Sequence, residues 1–399
     1  MDVAAESTIG TGATWLHAKK EALLQIDNSN SAGNTPPDVS SLHSRLFKLL
    51  SKGYENPYGL EGTLAVLIVD YPQLDSSIRF HPTHLEVSEM EAPNVDAELI
   101  FGVKTLARIT QEYMILDWRD QSLISTIEAR GRLDLVEHLG RCLLQPHPNT
   151  LYRYLDAQKR HFSRGFRMAN AIERLTDLTH QKILTKMNWG FPFVMQCPSP
   201  SIYTQKWTLQ RLVQYFGDAP VKPCSRRGAL TLREFVLDKK CAGHKDANST
   251  IFGLNASYTE GTTLSDSIKD VFGPAFFQRD DFLEPQLWLG SMDSDLPATS
   301  LHRDPYTSFL HQIMGLKRVD FYSSDQSIHL YPRRAHNNHQ PCWFRPDRPD
   351  FRRLSKARKA NKFSVVLQPG DVLVIPFGWF HQTHLLSSPN MSVSYRWKH

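Results

Sequence analysis

The sequence predicts an α+β protein, a mainly helical N-terminal region followed by a β-rich domain. Two observations carry this. From Leu42 to about His180, apolar residues recur every three or four positions, the period of a helix face. Beyond Gln181, glycine, proline and aromatic residues become denser, and short β-like runs alternate with turn signals, the texture of a sandwich or barrel. The 399 residues suffice for two or three domains at about 150 residues each. With 41% hydrophobic and 22% charged residues, wholesale disorder and fibrous repeats are excluded.

Residues 1–40 are rich in Ser, Thr, Gly and Asn and end in Asn34-Thr35-Pro36-Pro37, which reads as a loosely attached arm with a short helix around Trp15–Leu24. Residues 41–184 form the expected helical domain. Leu99, Val103, Leu106, Thr110, Tyr113 and Met114 mark one helix, with Asp96 placed to cap it. Leu151, Leu155, Phe162, Phe166, Ala169, Ile172 and Leu175 mark another, whose apolar stripe reads as core or a partner-helix seam. Its other side carries Arg153, Lys159, Arg160, Arg164, Arg167 and Arg174, a solvated face or a contact for an acidic partner. Residues 185–399 form the β domain. Its strands are expected at Phe191–Met195, Gln286–Leu289, Ser308–Ile313, Arg318–Tyr322, Ser364–Leu367, Val372–Ile375 and Ser392–Trp397.

No apolar run approaches the roughly 18 residues that span a bilayer, so no membrane is expected. The first residues lack a secretory pattern. Five cysteines, Cys142, Cys197, Cys224, Cys241 and Cys342, are odd in number and lack a C-x-x-C pair, which suits a reducing compartment. The expected setting is the cytoplasm, or the nucleus in a eukaryotic cell. The net charge of +5 is concentrated: residues 345–362 hold eight basic side chains against Asp347 and Asp350, a local +6. This segment reads either as a face for an anionic partner or as a solvated loop.

Leu301-His302-Arg303-Asp304-Pro305 holds the first chemistry. On a strand, His302 and Asp304 share a face while Arg303 points away. An imidazole and a carboxylate together make two thirds of a facial triad suited to non-haem Fe(II). The run from Gln368 to His381, a turn, an apolar strand, a Pro break and a histidine, supplies a third donor.

Residues 185–399 resemble the JmjC/cupin-like Fe(II)- and 2-oxoglutarate-dependent oxygenases, most closely the JmjC-domain-only hydroxylases and the factor-inhibiting-HIF type. The matching pieces are Trp288-Leu289-Gly290, His302-x-Asp304-Pro305, Gln312-x-x-Gly315-x-Lys317, Pro369-Gly370-Asp371, Ile375-Pro376, Trp379-x-His381 and Ser392–Trp397. Upstream, Phe191–Val194 and Lys206–Leu209 resemble that domain's entry strand and following helix.

The resemblance implies a double-stranded β-helix, or jelly roll, that binds Fe(II) through His302, Asp304 and His381. It selects His381 over His384, which three-residue spacing puts on the other face. The cosubstrate 2-oxoglutarate would chelate the iron, its far carboxylate meeting Lys317 and Thr299, with O₂ as oxidant. Ser308 stands where many members have Asn, and Lys317 has a surface-snorkelling alternative. Trp288 and Trp397 read as packing residues. The loop from His336 to His339 reads as solvated, although its side chains are metal-capable.

The implied activity is hydroxylation of an unactivated C–H on a protein or peptide side chain. Alternatives are a small metabolite, a carrier-tethered amino acid or a modified RNA base, then N-methyl-lysine demethylation, then a non-catalytic scaffold. The helical region offers docking or homodimer surface.

Overall fold

A computed structural model describes residues 38–398 apart from 70, 90–94, 117–120, 164–171, 197–207, 219, 222–229, 238–257, 260–280, 284, 285, 291–296 and 338. Residues 1–37 of the arm, the Trp15–Leu24 helix, Arg164, Phe166, Arg167, Ala169, Cys197, Lys206, Trp207, Cys224 and Cys241 lie outside the described residues, and the arm's last residues, Val39 and Ser40, already belong to a helix. The chain divides into two compact units at Gln145/Pro146, not at the expected boundary of 184/185.

The first unit is less helical than its sequence suggested. It holds a five-stranded sheet of β1 (Gly62–Ile68), β2 (Ser76–Phe80), β3 (Leu85–Glu89), β4 (Ala97–Phe101) and β5 (Ile127–Gly131), in the order β3-β2-β1-β4-β5. Only the β1–β4 pair is parallel. Helices Val39–Gly53, Val103–Gln111 and Leu133–Leu143 share one core with it, in which Leu42, Leu46 and Leu49 join Leu64, Val66 and Ile68. Ala65, Leu67 and Val69 are buried on the sheet's other face, so β1 reads as a continuous apolar run rather than an alternating one. Leu99 belongs to β4, opposite Val66, and not to the helix assigned from its periodicity. That helix starts at Val103, and the Asp96 carboxylate accepts a hydrogen bond from the Thr63 amide at 2.8 Å, tying two strands rather than capping.

The second unit begins with the helix Pro148–Ser163. Its buried face is Tyr154, Ala157 and His161, whereas Leu151, Leu155 and Phe162 are exposed, so they are not core. Beyond the helix, Ile172 and Leu175 are buried, Leu175 within β6 (Glu173–Leu175), not on a continuing helix. Helix His180–Trp189 and β7 (Phe193–Gln196) follow. Thr208 caps the next helix, Leu209–Phe216, by accepting from the Arg211 amide. A small pair, β8 (Pro220–Val221) and β9 (Leu230–Thr231), precedes β10 (Tyr258–Thr259).

The remaining strands build a jelly roll: β11 (Gln286–Gly290), β12 (Thr299–Arg303), β13 (Ser308–Met314), β14 (Lys317–Tyr322), β15 (Gln340–Pro341), β16 (Phe363–Leu367), β17 (Asp371–Ile375), β18 (Phe380–Leu385) and β19 (Asn390–Arg396). The larger sheet runs β10-β11-β19-β13-β17-β7-β6 and the smaller β15-β12-β18-β14-β16. Leu310, Leu373 and Ile375 of the larger sheet meet Val319, Phe321, Val365 and Leu367 of the smaller in the core between them. The larger sheet's other face, with Phe309, Val374, Val393 and Tyr395, is covered by a second cluster including Leu212 and Leu232. Alternate residues of β13 and β17 therefore serve different cores. Among the described residues, no helix is long and apolar enough to cross a membrane.

Candidate metal centre

Three side chains converge at one end of the jelly roll. His302 comes from β12, Asp304 from just beyond its end, and His381 from β18, where the Cα of His302 lies directly opposite that of His381. Their donor atoms all lie within 4.8 Å of one another. His302 Nε2 is 3.9 Å from one Asp304 oxygen and His381 Nε2 is 3.6 Å from the other. These gaps are too long for hydrogen bonds, yet an ion with bonds of about 2.0–2.2 Å to each side would bridge them.

The backbone fixes which nitrogen faces the centre. His302 Nδ1 lies 2.7 Å from the Ser300 carbonyl and His381 Nδ1 lies 3.1 Å from the Trp379 carbonyl. A carbonyl can only accept, so each Nδ1 carries the proton and each Nε2 presents a lone pair. Burial, with His302 alongside, holds His381 well below the usual imidazole range and keeps it neutral for ligation. Two imidazoles and one carboxylate are a donor set that fits a divalent first-row ion with open positions.

The strand that presents the ligands is buttressed from outside. Arg303 does face away from His302 and Asp304, but into a buried sandwich and not into water. Its guanidinium lies 3.9 Å from the Tyr154 ring centre and 4.8 Å from that of Phe380, and its Nε donates to Gln340 Oε1 at 2.6 Å. Burial lowers the Arg303 pKa to about 10. The Tyr154 hydroxyl donates to the Arg303 carbonyl at 3.2 Å, and the Gly378 amide donates to the Asp304 carbonyl at 3.3 Å.

The loop before β15 is not simply solvated. His336 is buried, 6.2 Å from the Tyr154 ring, and burial drops its pKa to about 4. His339 is exposed, with its ring 5.2 Å from that of His302, and Pro341 pairs with His302 along the strand edge. His384 turns to the outer face, 3.3 Å from Asp320.

Lys317 is fully buried and does not snorkel outward. Its ammonium donates to the Ser392 hydroxyl, which in turn donates to Gln312 Oε1 at 2.8 Å. Burial lowers its pKa to about 7. Its Cα pairs with Leu385, four residues along β18 from His381. Thr299 Oγ1 lies 2.9 Å from Thr383 Oγ1 on the neighbouring strand. Ser308, buried on β13, lies opposite both Arg396 and Ile375. Trp288 Nε1 donates to Ser394 Oγ at 2.9 Å, while Trp397 packs near Phe309.

Sequence reasoning missed Tyr154, Tyr306 and Arg396. Tyr306 follows Asp304 by two residues; burial and then the Asp304 charge push its pKa up to about 12. The Arg396 guanidinium lies 5.2 Å from the Tyr306 ring centre. Alternation along β19 would have found Arg396, since it shares a face with Ser392 and Ser394.

Comparisons with known proteins cover the same part of the chain. Residues 202–399 match the model of the cupin-like domain. Residues 202–399 form a cupin-like domain of the JmjC kind. It is 31% identical to lysine-specific demethylase 8 of Xenopus tropicalis over 206 residues, 48% of this chain and 44% of that one. It is 30% identical to tRNA wybutosine-synthesizing protein 5 of Danio rerio over 131 residues, 33% and 38% of the two chains. With HSPB1-associated protein 1 of Rattus norvegicus it shares 28% identity over 177 residues, 41% and 36%. The matches span less than half the length of these relatives. The cupin-like JmjC family is one of 2-oxoglutarate oxygenases that generally use Fe(II).

Proposed function

We propose that the protein is an Fe(II)- and 2-oxoglutarate-dependent dioxygenase that hydroxylates an unactivated C–H on a protein or peptide side chain. The observation that carries the reading is the grouping of His302, Asp304 and His381, with both imidazoles oriented through backbone carbonyls. Fe(II) held by these three would supply O₂ activation coupled to decarboxylation of 2-oxoglutarate to succinate and CO₂.

The chain's own residues do the rest. Lys317 offers a buried ammonium for the far carboxylate of the cosubstrate, where a charge-assisted contact is strongest. Ser392 and Gln312 hold that ammonium in place. Thr299 and Thr383 set hydroxyls on adjacent strands of the same small sheet, with Thr299 offered to the same carboxylate. Ser308 would line the cosubstrate pocket from the larger sheet. The apolar filling between the sheets, Phe321 and Trp379 included, limits water at the reacting end.

The side-chain substrate draws support from a relative whose name refers to lysine demethylation. The RNA-base alternative draws on a relative named for tRNA wybutosine synthesis. Mass spectrometry of a cell extract incubated with the protein, Fe(II), ascorbate and 2-oxoglutarate separates the readings. A peptide gaining 16 Da supports side-chain hydroxylation, loss of 14 Da indicates demethylation, and a modified nucleoside indicates RNA. Absence of succinate release with every substrate pool would overturn the dioxygenase reading.

A further inference from the structure

The basic segment, read from the sequence as either an anion face or a solvated loop, is built into the fold. It packs on the outer face of the smaller sheet. Gln382 of β18 donates to Asp347 at 3.2 Å, and Lys362 lies 3.5 Å from Asp320 of β14. Leu354 and Ala357 are buried beneath the segment, and the Arg352 and Arg353 amides both donate to Asp350 Oδ1.

The eight cations divide into two groups. Arg345 pairs with Asp347 at 2.9 Å, Arg353 with Asp350 at 2.9 Å, and Lys362 with Asp320. The other five, Arg348, Arg352, Lys356, Arg358 and Lys359, are exposed, and among the described residues no carboxylate lies within ion-pair distance of them. They fall within twelve residues on an ordered scaffold. Ser355–Lys359 is a 3₁₀ turn, and the Arg358 guanidinium lies 4.7 Å from the Phe351 ring centre.

We propose that this surface docks the phosphodiester backbone of a nucleic acid. In a 3₁₀ turn, residues i and i+3 eclipse, so Lys356 and Lys359 stack about 6 Å apart. A nucleic-acid strand carries a phosphate about every 3.4 Å of axis, a charge density that five closely spaced cations match. An extended acidic polypeptide turns alternate carboxylates to opposite sides, so those facing the protein stand about 7 Å apart and present sparser charge. The scaffold fixes the backbone that carries the cations, so binding need not order the chain itself. Contacts tie the segment to the ligand strands: the Lys356 amide donates to the Tyr331 hydroxyl, the Trp343 amide to the Tyr331 carbonyl, and Pro341 pairs with His302.

Binding is measurable without metal, so the test is independent of the dioxygenase reading. Metal-free protein is titrated into fluorescein-labelled 20-nucleotide RNA, a 20-base-pair DNA duplex and a poly-glutamate peptide, and anisotropy is followed across salt concentrations. Binding to RNA or DNA is expected, with the tighter of the two naming the source. The triple variant R352Q/K356Q/K359Q should bind at least tenfold more weakly at low salt. Its slope of log K against log salt should be shallower by roughly 2 to 3, three phosphate contacts at about 0.7–0.9 each. K48Q/K52Q/K159Q removes equal charge elsewhere and should bind like the parent. Three results would each overturn the proposal: no nucleic-acid binding, equal weakening by both triples, or tighter binding of poly-glutamate than of either nucleic acid.

Discussion

Lys317 on the smaller sheet donates across the barrel to the hydroxyl of Ser392 on the larger sheet, so one hydrogen bond ties both walls at the candidate cosubstrate pocket. Removing the charge tests the pocket directly. Lys317→Ala should weaken 2-oxoglutarate binding by about 10- to 150-fold, the range for losing a charge-assisted contact of about 1.5–3 kcal/mol. Lys317→Arg should recover only part of it, because the planar fork needs a different pocket. Calorimetric titration with 2-oxoglutarate and Mn(II) gives the affinity.

The same lysine makes stability depend on pH. Unfolded, it titrates near 10.5; folded, burial lowers it to about 7. Between those values the unfolded chain holds the extra proton, so this group's contribution to stability rises as pH rises from about 7 to about 10.5. Below about 7 both states are protonated and the contribution is flat. Urea midpoints measured across this window should climb less steeply in Lys317→Met than in the parent. Anion binding favours the ammonium, so 2-oxoglutarate should bind with proton uptake above about pH 7.

Loss of one ligand should remove the ion. His302→Ala or Asp304→Ala should lower divalent-metal affinity by more than about 100-fold, the upper end of what losing an outer-shell partner costs. Succinate release should cease while unfolding stays cooperative. Metal content by mass spectrometry and a melting curve on the same sample check both.

Arg303 should matter without touching metal or substrate. Arg303→Lys loses the planar stack on Tyr154 and Phe380 and its aligned bond to Gln340. A destabilisation of about 2–3 kcal/mol is expected. Metal affinity should also fall, by about tenfold, because the strand between the ligands loosens. Tyr154→Phe keeps the ring and removes only the hydrogen bond to the Arg303 carbonyl, so most of the stability should return.

The barrel was legible because its strands alternate and its turns are punctuated. All seven expected β runs appear as strands, from Phe193–Gln196 to Asn390–Arg396. The sheet around β1 was hidden because a strand buried on both faces has no alternation to detect, and Leu99 happened to fall in phase with the helix after it. The His302, Asp304 and His381 grouping followed from spacing and resemblance together. The Tyr154 buttress could not, since its partner Arg303 lies 149 residues away and only tertiary structure joins them.

The strand order also governs when the two walls of the barrel can be joined. β19 emerges after every other described strand, yet it sits between β11 and β13 in the interior of the larger sheet. A growing chain can expose both neighbours and still have nothing to join them. Ser392, which receives Lys317, rides on that late strand. Contacts of such long sequence separation make folding slow, and the waiting sheet edges invite chaperone capture or aggregation. Lys317 therefore waits for its Ser392 partner until that strand inserts, whereas the β12–β18 pair that sets His302 opposite His381 does not depend on it.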